Sequence, residues 1–116
     1  MSDIQDEYLE GYIVQENNDG GSYFAMRSFG DSMNVAGIGD GDVLIIRQQD
    51  IVKNGDIVIA ELPDGRIVCR AWHQESSLII LSPRSTNNAY PLLCYDTNEV
   101  VPRILGRVVQ IRKELL

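Results

Sequence analysis

The chain has 116 residues, 44% of them hydrophobic and 23% charged, and a formal charge of −7 at pH 7, which is one domain of ordinary globular composition. Such acidity speaks against a surface that grips a phosphate backbone, because that needs clustered Lys and Arg. No apolar run approaches the roughly 20 residues of a spanning helix, and two cysteines with one histidine make neither a disulfide framework nor a metal-ligand set.

Taken in order, residues 1–10 are acidic and polar with few apolar anchors and read as a loose arm; no Lys or Arg precedes Arg27. Residues 11–116 read as the folded domain. Leu9 to Val14 is a candidate first strand. Asn17-Asn18-Asp19-Gly20-Gly21 is a turn, and Tyr23 to Arg27 is a strand pairing back. Phe29-Gly30-Asp31-Ser32-Met33 then leads through one helical turn to Gly37, Gly39 and Gly41, a spacing that calls for positive φ or close backbone approach. Val43 to Arg47 is an apolar strand. Asp56 to Leu62 is apolar on both faces and so is a buried strand. Pro63-Asp64-Gly65 is a hairpin turn. The return strand, Arg66 to Trp72, places Ile67, Cys69 and Ala71 on one face and Val68, Arg70 and Trp72 on the other. Leu78 to Ser82 is a strand stopped by Pro83, and Tyr90 to Tyr95 is short and extended. Ile104 to Arg112 is the last strand, with Gly106 as a bend or bulge. Strict alternation puts Val108, Gln110 and Arg112 on one face and Arg107, Val109 and Ile111 on the other. The sum is a mainly β domain of eight to ten short strands, a sandwich or partly open barrel.

Ser32 is the residue in this pattern able to carry chemistry: a hydroxyl at a strand-to-turn junction can be presented by rigid neighbours, although a serine there also simply caps a helical turn. The order of Gly30-Asp31-Ser32-Met33, Gly39-Asp40-Gly41-Asp42, Asn54-Gly55-Asp56, Pro63-Asp64-Gly65 and Val68-Cys69-Arg70 resembles the carboxy-terminal domain of the LexA/UmuD-type self-cleaving proteins (peptidase S24), which include repressors of lambdoid phages. The resemblance runs from about Gly11 to Ile111. It implies a LexA/signal-peptidase-like β fold, with Ser32 as nucleophile and the backbone N–H groups of Asp31 and Ser32 as oxyanion donors. It also implies a base, a desolvated lysine in a Val-Lys-Arg strand, and here that position is Cys69. The remaining lysines, Lys53 and Lys113, lie outside that strand. His73 is four residues further on, about 13 Å along an extended strand. Ser32 is therefore expected to lack a base, whether the lysine was lost in this lineage or replaced deliberately.

The resemblance further implies a cytoplasmic homodimer formed through the last strand, Arg107, Val108, Val109, Gln110, Ile111 and Arg112. DNA would be reached only through an amino-terminal helix-turn-helix outside this chain, and a recombinase filament on single-stranded DNA would stimulate cleavage. No cofactor and no membrane association are expected, and both thiols, Cys69 and Cys94, are expected to be free and buried. Two other readings stay open: a UmuD-like accessory subunit of an error-prone polymerase, and an active serine autopeptidase inactivated by engineering.

Overall fold

A computed structural model describes residues 7–16 and 19–113. They form one antiparallel sheet of eight strands, β1 (Glu7–Glu16), β2 (Ser22–Ser28), β3 (Val43–Arg47), β4 (Ile57–Glu61), β5 (Ile67–Glu75), β6 (Leu78–Ser82), β7 (Leu93–Asp96) and β8 (Arg103–Arg112). Their spatial order is β1-β2-β3-β8-β4-β5-β6-β7. The sheet curls far enough for β1 to approach β5. A single 3-10 turn, Asn34–Ala36, is the one helical element among the described residues. The mainly β expectation is met. β1 starts at Glu7, and residues 1–6 of the expected arm lie outside the described residues.

Period-2 alternation divides the side chains between clusters on the two faces. On the first face, Met26 of β2, Leu44 and Ile46 of β3, Ile59 of β4 and Cys69 of β5 pack with Met33 and Ile38 from the β2–β3 connection. On the second face, Val58, Ala60 and Leu62 pack with Val68, Trp72, Ile79 and Leu81. β4 supplies both clusters, which is why it reads as an unbroken apolar run. The split of β5 into an Ile67/Cys69 face and a Val68/Trp72 face follows the alternation in the sequence. The Pro63-Asp64-Gly65 hairpin forms with Gly65 at φ 93°.

The last strand runs through the middle of the sheet, paired to β3 on one side and to β4 on the other. Two irregularities break its alternation. Between Ile45 and Ile46 the partner jumps from Gln110 to Val108, so Val109 is an extra residue. Between Ile59 and Ala60 it jumps from Gly106 to Ile104, so Leu105 is extra. The first bulge reverses the phase of the strand: Val108 and Ile111 both pack on the first cluster, which corrects the strict alternation expected over Arg107 to Arg112. Three other expectations are also corrected. Tyr90 lies outside β7, in the preceding turn, where it is buried. β5 continues to Glu75, leaving Ser76 (φ 57°) and Ser77 as the turn. Cys94 is exposed, because Leu93 and Tyr95 take the inward positions of β7.

Gly106 of β8 packs against Ile46 and Arg47 at the end of β3. A Cβ built there would lie 2.4 Å from Ile46 Cγ2 and 2.5 Å from the Arg47 carbonyl oxygen. The second of these is backbone and cannot swing aside. Gly106→Ala is expected to destabilise the domain by about 3 kcal/mol through overpacking, read as a fall in the urea midpoint at unchanged m-value. A midpoint within error of the parent would contradict this packing.

Candidate functional site

The site is built on the excursion between β2 and β3. Its two ends are fastened: Ser28 N–H donates to the Asp42 carbonyl at 2.8 Å, and Gly41 N–H to the Ser28 carbonyl at 2.6 Å. Inside it, Gly30 (φ 84°) and Gly37 (φ 91°) occupy the left-handed region, and Asp40 Oδ1 accepts from Gly30 N–H at 2.7 Å. The chain between these glycines must double back, and Ser32 stands at the inner side of that reversal, 4% exposed. Met33, next to it, is buried in the first cluster together with Cys69.

A second segment braces this turn. After Pro83 ends β6, Arg84 leaves the sheet and bonds the turn instead. Its N–H donates to the Ser32 carbonyl at 3.0 Å, and its carbonyl accepts from Val35 N–H at 2.8 Å. Asn34 and Thr86 bond reciprocally, side-chain amide to hydroxyl at 3.0 Å and N–H to Asn34 Oδ1 at 3.1 Å. Asp31 collects the rest. Its carbonyl accepts from Ser85 Oγ at 2.6 Å, and its carboxylate from Tyr90 Oη at 2.7 Å and Asn87 Nδ2 at 3.3 Å. Its N–H, the expected oxyanion donor, meets Tyr90 Oη at 3.3 Å.

The departure of Arg84 also shapes β5. Trp72 N–H donates to the Asp56 carbonyl at 2.8 Å and the Arg66 carbonyl accepts from Leu62 N–H at 2.7 Å. Alternation from these two points turns the Cys69 carbonyl away from β4, toward the side where β6 has ended. That carbonyl accepts from Arg70 Nη1 at 2.7 Å, and the same nitrogen donates to Ser32 Oγ at 3.2 Å. The Arg70 guanidinium lies 5.6 Å from the centroid of the Tyr90 ring. Arg70 is only 5% exposed and Cys69 only 1%.

The structure thus brings the Ser32 turn against the Cys69–Arg70 segment, with the polar contact to the serine made by Arg70. Sequence reasoning passed over Arg70 and Tyr90. A lone Arg inside an apolar strand was the available signal for the first. The second carried no local signal, because its partner Asp31 is 59 positions away. A guanidinium has donors and no acceptor, so Arg70 cannot take the serine proton. His73 lies at the exposed end of β5 beside Glu75, at 3.6 Å. Lys53 is in the β3–β4 loop. Lys113 reaches the same excursion from β8 but bonds the Gly37 carbonyl and Asp42 Oδ2. Among the described residues, no group of three or more His, Cys, Asp or Glu is placed to hold a metal ion, and no helix is long and apolar enough to cross a membrane.

Fold and site together define a mainly β domain organised around a braced, serine-bearing turn. A family profile described as Peptidase S24-like matches residues 2–109, and the chain belongs to that family. It is 39% identical over 111 residues to a protein named LexA repressor from Geobacter metallireducens, covering 94% of this chain and 53% of that protein. It is 34% identical over 112 residues to one from Thermotoga petrophila (94% and 54%). It is 36% identical over 89 residues to one from Cereibacter sphaeroides (77% and 37%). The chain spans about half the length, or less, of these relatives.

The fastening of the excursion to β8 has a pH signature. Burial pushes the Asp42 carboxyl up, but the Lys113 hydrogen bond, the Gly39 N–H and the Lys113 charge outweigh it, so Asp42 titrates below the ordinary 3.8. A carboxyl lowered in the folded state contributes stability that is complete above the unfolded value and is lost as pH falls through the folded one. Lys113→Met is expected to cost about 0.5–1 kcal/mol at pH 7, a figure discounted for the exposed ammonium. The deficit should shrink as pH falls below 3.8 and through the lowered folded-state value, where the Asp42 carboxyl becomes neutral in the parent as well. Urea titrations at pH 7 and at successively lower pH read this, and a deficit that stays constant through acid unfolding would contradict it.

Proposed function

We propose that this chain is the carboxy-terminal regulatory and dimerisation domain of a LexA-like transcriptional repressor, with a Ser–Lys self-cleavage site left without its base because Cys69 holds the lysine position. The observation that supports the reading is a buried Ser32 on a turn braced from two directions, with its neighbour Met33 in one apolar cluster with residue 69 and its hydroxyl bonded to Arg70. Ser32 Oγ is the nucleophile. A hydroxyl needs a neighbouring base to lose its proton, and a neutral lysine amine in a desolvated pocket supplies one. An ordinary thiol, with a pKa of about 8.5 that rises on apolar burial, is a poor substitute. The N–H groups of Asp31 and Ser32 are the oxyanion donors. The long resting bond from Asp31 N–H to Tyr90 Oη gives way as negative charge develops on the attacked carbonyl.

The relatives' printed names support the repressor assignment, and the acidity of this chain fits a domain that meets DNA through a separate helix-turn-helix head. The protein acts in the cytoplasm, where a recombinase filament on single-stranded DNA is the stimulating partner of an active site of this kind. Dimerisation uses the distal half of β8. Arg107 is paired on both sides, whereas the ladder to β3 runs on through Arg112 and that to β4 ends at Val58–Arg107. Val109, Gln110 and Arg112 are exposed there.

Two experiments test the reading. Cys69→Lys, in a fusion that supplies a LexA-type cleavage segment ahead of residue 1, is expected to cut itself, faster at alkaline pH, while the parent and the Cys69→Lys/Ser32→Ala pair stay whole. An uncut Cys69→Lys protein that remains folded would reject a latent Ser–Lys site. Sedimentation of the parent at micromolar concentration is expected to give a dimer and Val109→Glu a monomer. A monomeric parent would reject the dimerisation role.

A further inference from the structure

Arg70 is the polar residue of the site that the reading above leaves without a task. It is an arginine only 5% exposed, and burying a charge is costly unless its surroundings use it. Among the groups that hold it are the Cys69 carbonyl, Ser32 Oγ and the face of Tyr90. Tyr90 is in turn tied to Asp31, so ring and hydroxyl hold the guanidinium and the serine turn in one frame.

We propose that Arg70 is a positioning residue of this site: it fixes the Ser32 hydroxyl beside position 69 and, as a cation anchored on the residue 69 carbonyl, keeps a basic side chain at that position in its neutral, proton-accepting form. The proposal deepens the reading of position 69 as the base position and rests on it. The physical ground is that a second cation close to a fixed one is disfavoured, and burial acts in the same direction. Position 69 is 1% exposed, and the described side chains of its cluster are apolar: Met26 from β2, Met33 and Ile38 from the excursion, Leu44 and Ile46 from β3, and Ile59 from β4. Among the described residues, the charged groups around the site are Arg70 on β5 itself, Asp31 on the serine turn, Asp40 bonded to Gly30 N–H in the excursion, and Arg84 on the bracing segment. The Asp31 carboxylate is bonded to Tyr90 and Asn87. Asp42 and Lys113, at the foot of the excursion, are paired with each other.

The chain suits a direct test, because Lys53 and Lys113 are its only lysines. In Cys69→Lys protein labelled with 13C at lysine Cε, the introduced side chain gives one additional signal whose titration midpoint is read without any cleavage. Its midpoint is expected below those of Lys53 and Lys113. Adding Arg70→Gln, which keeps donors and removes the charge, is expected to raise it by about one pH unit, whereas Arg70→Lys leaves it low. Arg70→Met takes the place of Arg70→Gln should the latter lose its dispersed amide spectrum, with the same expected rise. A midpoint that does not move when the charge at position 70 is removed overturns the proposal. A low, Arg70-dependent midpoint in a protein that never cleaves would reject self-cleavage and leave the role of Arg70 standing; cleavage with an Arg70-independent midpoint would do the reverse.

Discussion

The organisation of this molecule depends on the exchange of hydrogen-bonding partners at Pro83. Up to Ser82 the chain is an ordinary sheet strand. Beyond it, Arg84 carries the next N–H and C=O to Ser32 and Val35 instead of to β5. That switch braces a turn which, by itself, is a 3-10 helix of three residues with no side-chain cap, too short to hold a side chain in place by its own backbone bonds. It also leaves the Cys69 carbonyl to Arg70. The brace, the serine and the adjacent strand edge are therefore consequences of one local event, and the Asp31–Tyr90 bond closes the frame from the far end of the same segment.

Within that frame, position 69 is decided by burial. The described hydrophobic side chains clustered with it come from β2, β3, β4 and the excursion, and such packing favours a side chain that is neutral at rest. A thiol satisfies this without strain as a small packed residue. An amine satisfies it only in its neutral form, and that is the form a serine needs as its base. On the proposed reading, the pocket is silent or active according to that one residue. Arg70 contributes whichever residue is present, because its contacts to the residue 69 carbonyl and to Ser32 Oγ do not involve the side chain at 69.

Much of this was legible in the sequence, and for identifiable reasons. The strands follow apolar runs bounded by turn chemistry: Gly65 and Gly55 occupy positive φ where Asp-Gly and Asn-Gly pairs call for it. The serine turn is partly legible from its glycines: of Gly37, Gly39 and Gly41, Gly37 and Gly41 take positive φ and Gly39 does not. What stayed hidden depended on distant partners. The bulge at Val109 is set by register against β3 and alters the face of every residue after it. Gly106 reads as a bend or bulge, and a bulge does fall beside it at Leu105, but the demand for glycine comes from Ile46 and the backbone of Arg47 pressing on it. Tyr90 lies in an apparently extended stretch, and the partners described for it, Asp31 and Arg70, are distant in sequence. Cys94 was misplaced by a general preference of cysteine for the interior, against the period of its own strand.

The most direct measurement of the central claim is chemical. With Cys94 replaced by serine and a cleavage segment supplied, Cys69 can be alkylated in denaturant with 2-bromoethylamine, which places an amine at lysine length on the native sulfur, and the protein then refolded. The account predicts scission that depends on Ser32, accelerates toward alkaline pH, and is absent after alkylation with iodoacetamide. A correctly refolded aminoethylated protein that stays whole across that pH range would show that residue 69 does not serve Ser32, and would contradict the account at its base.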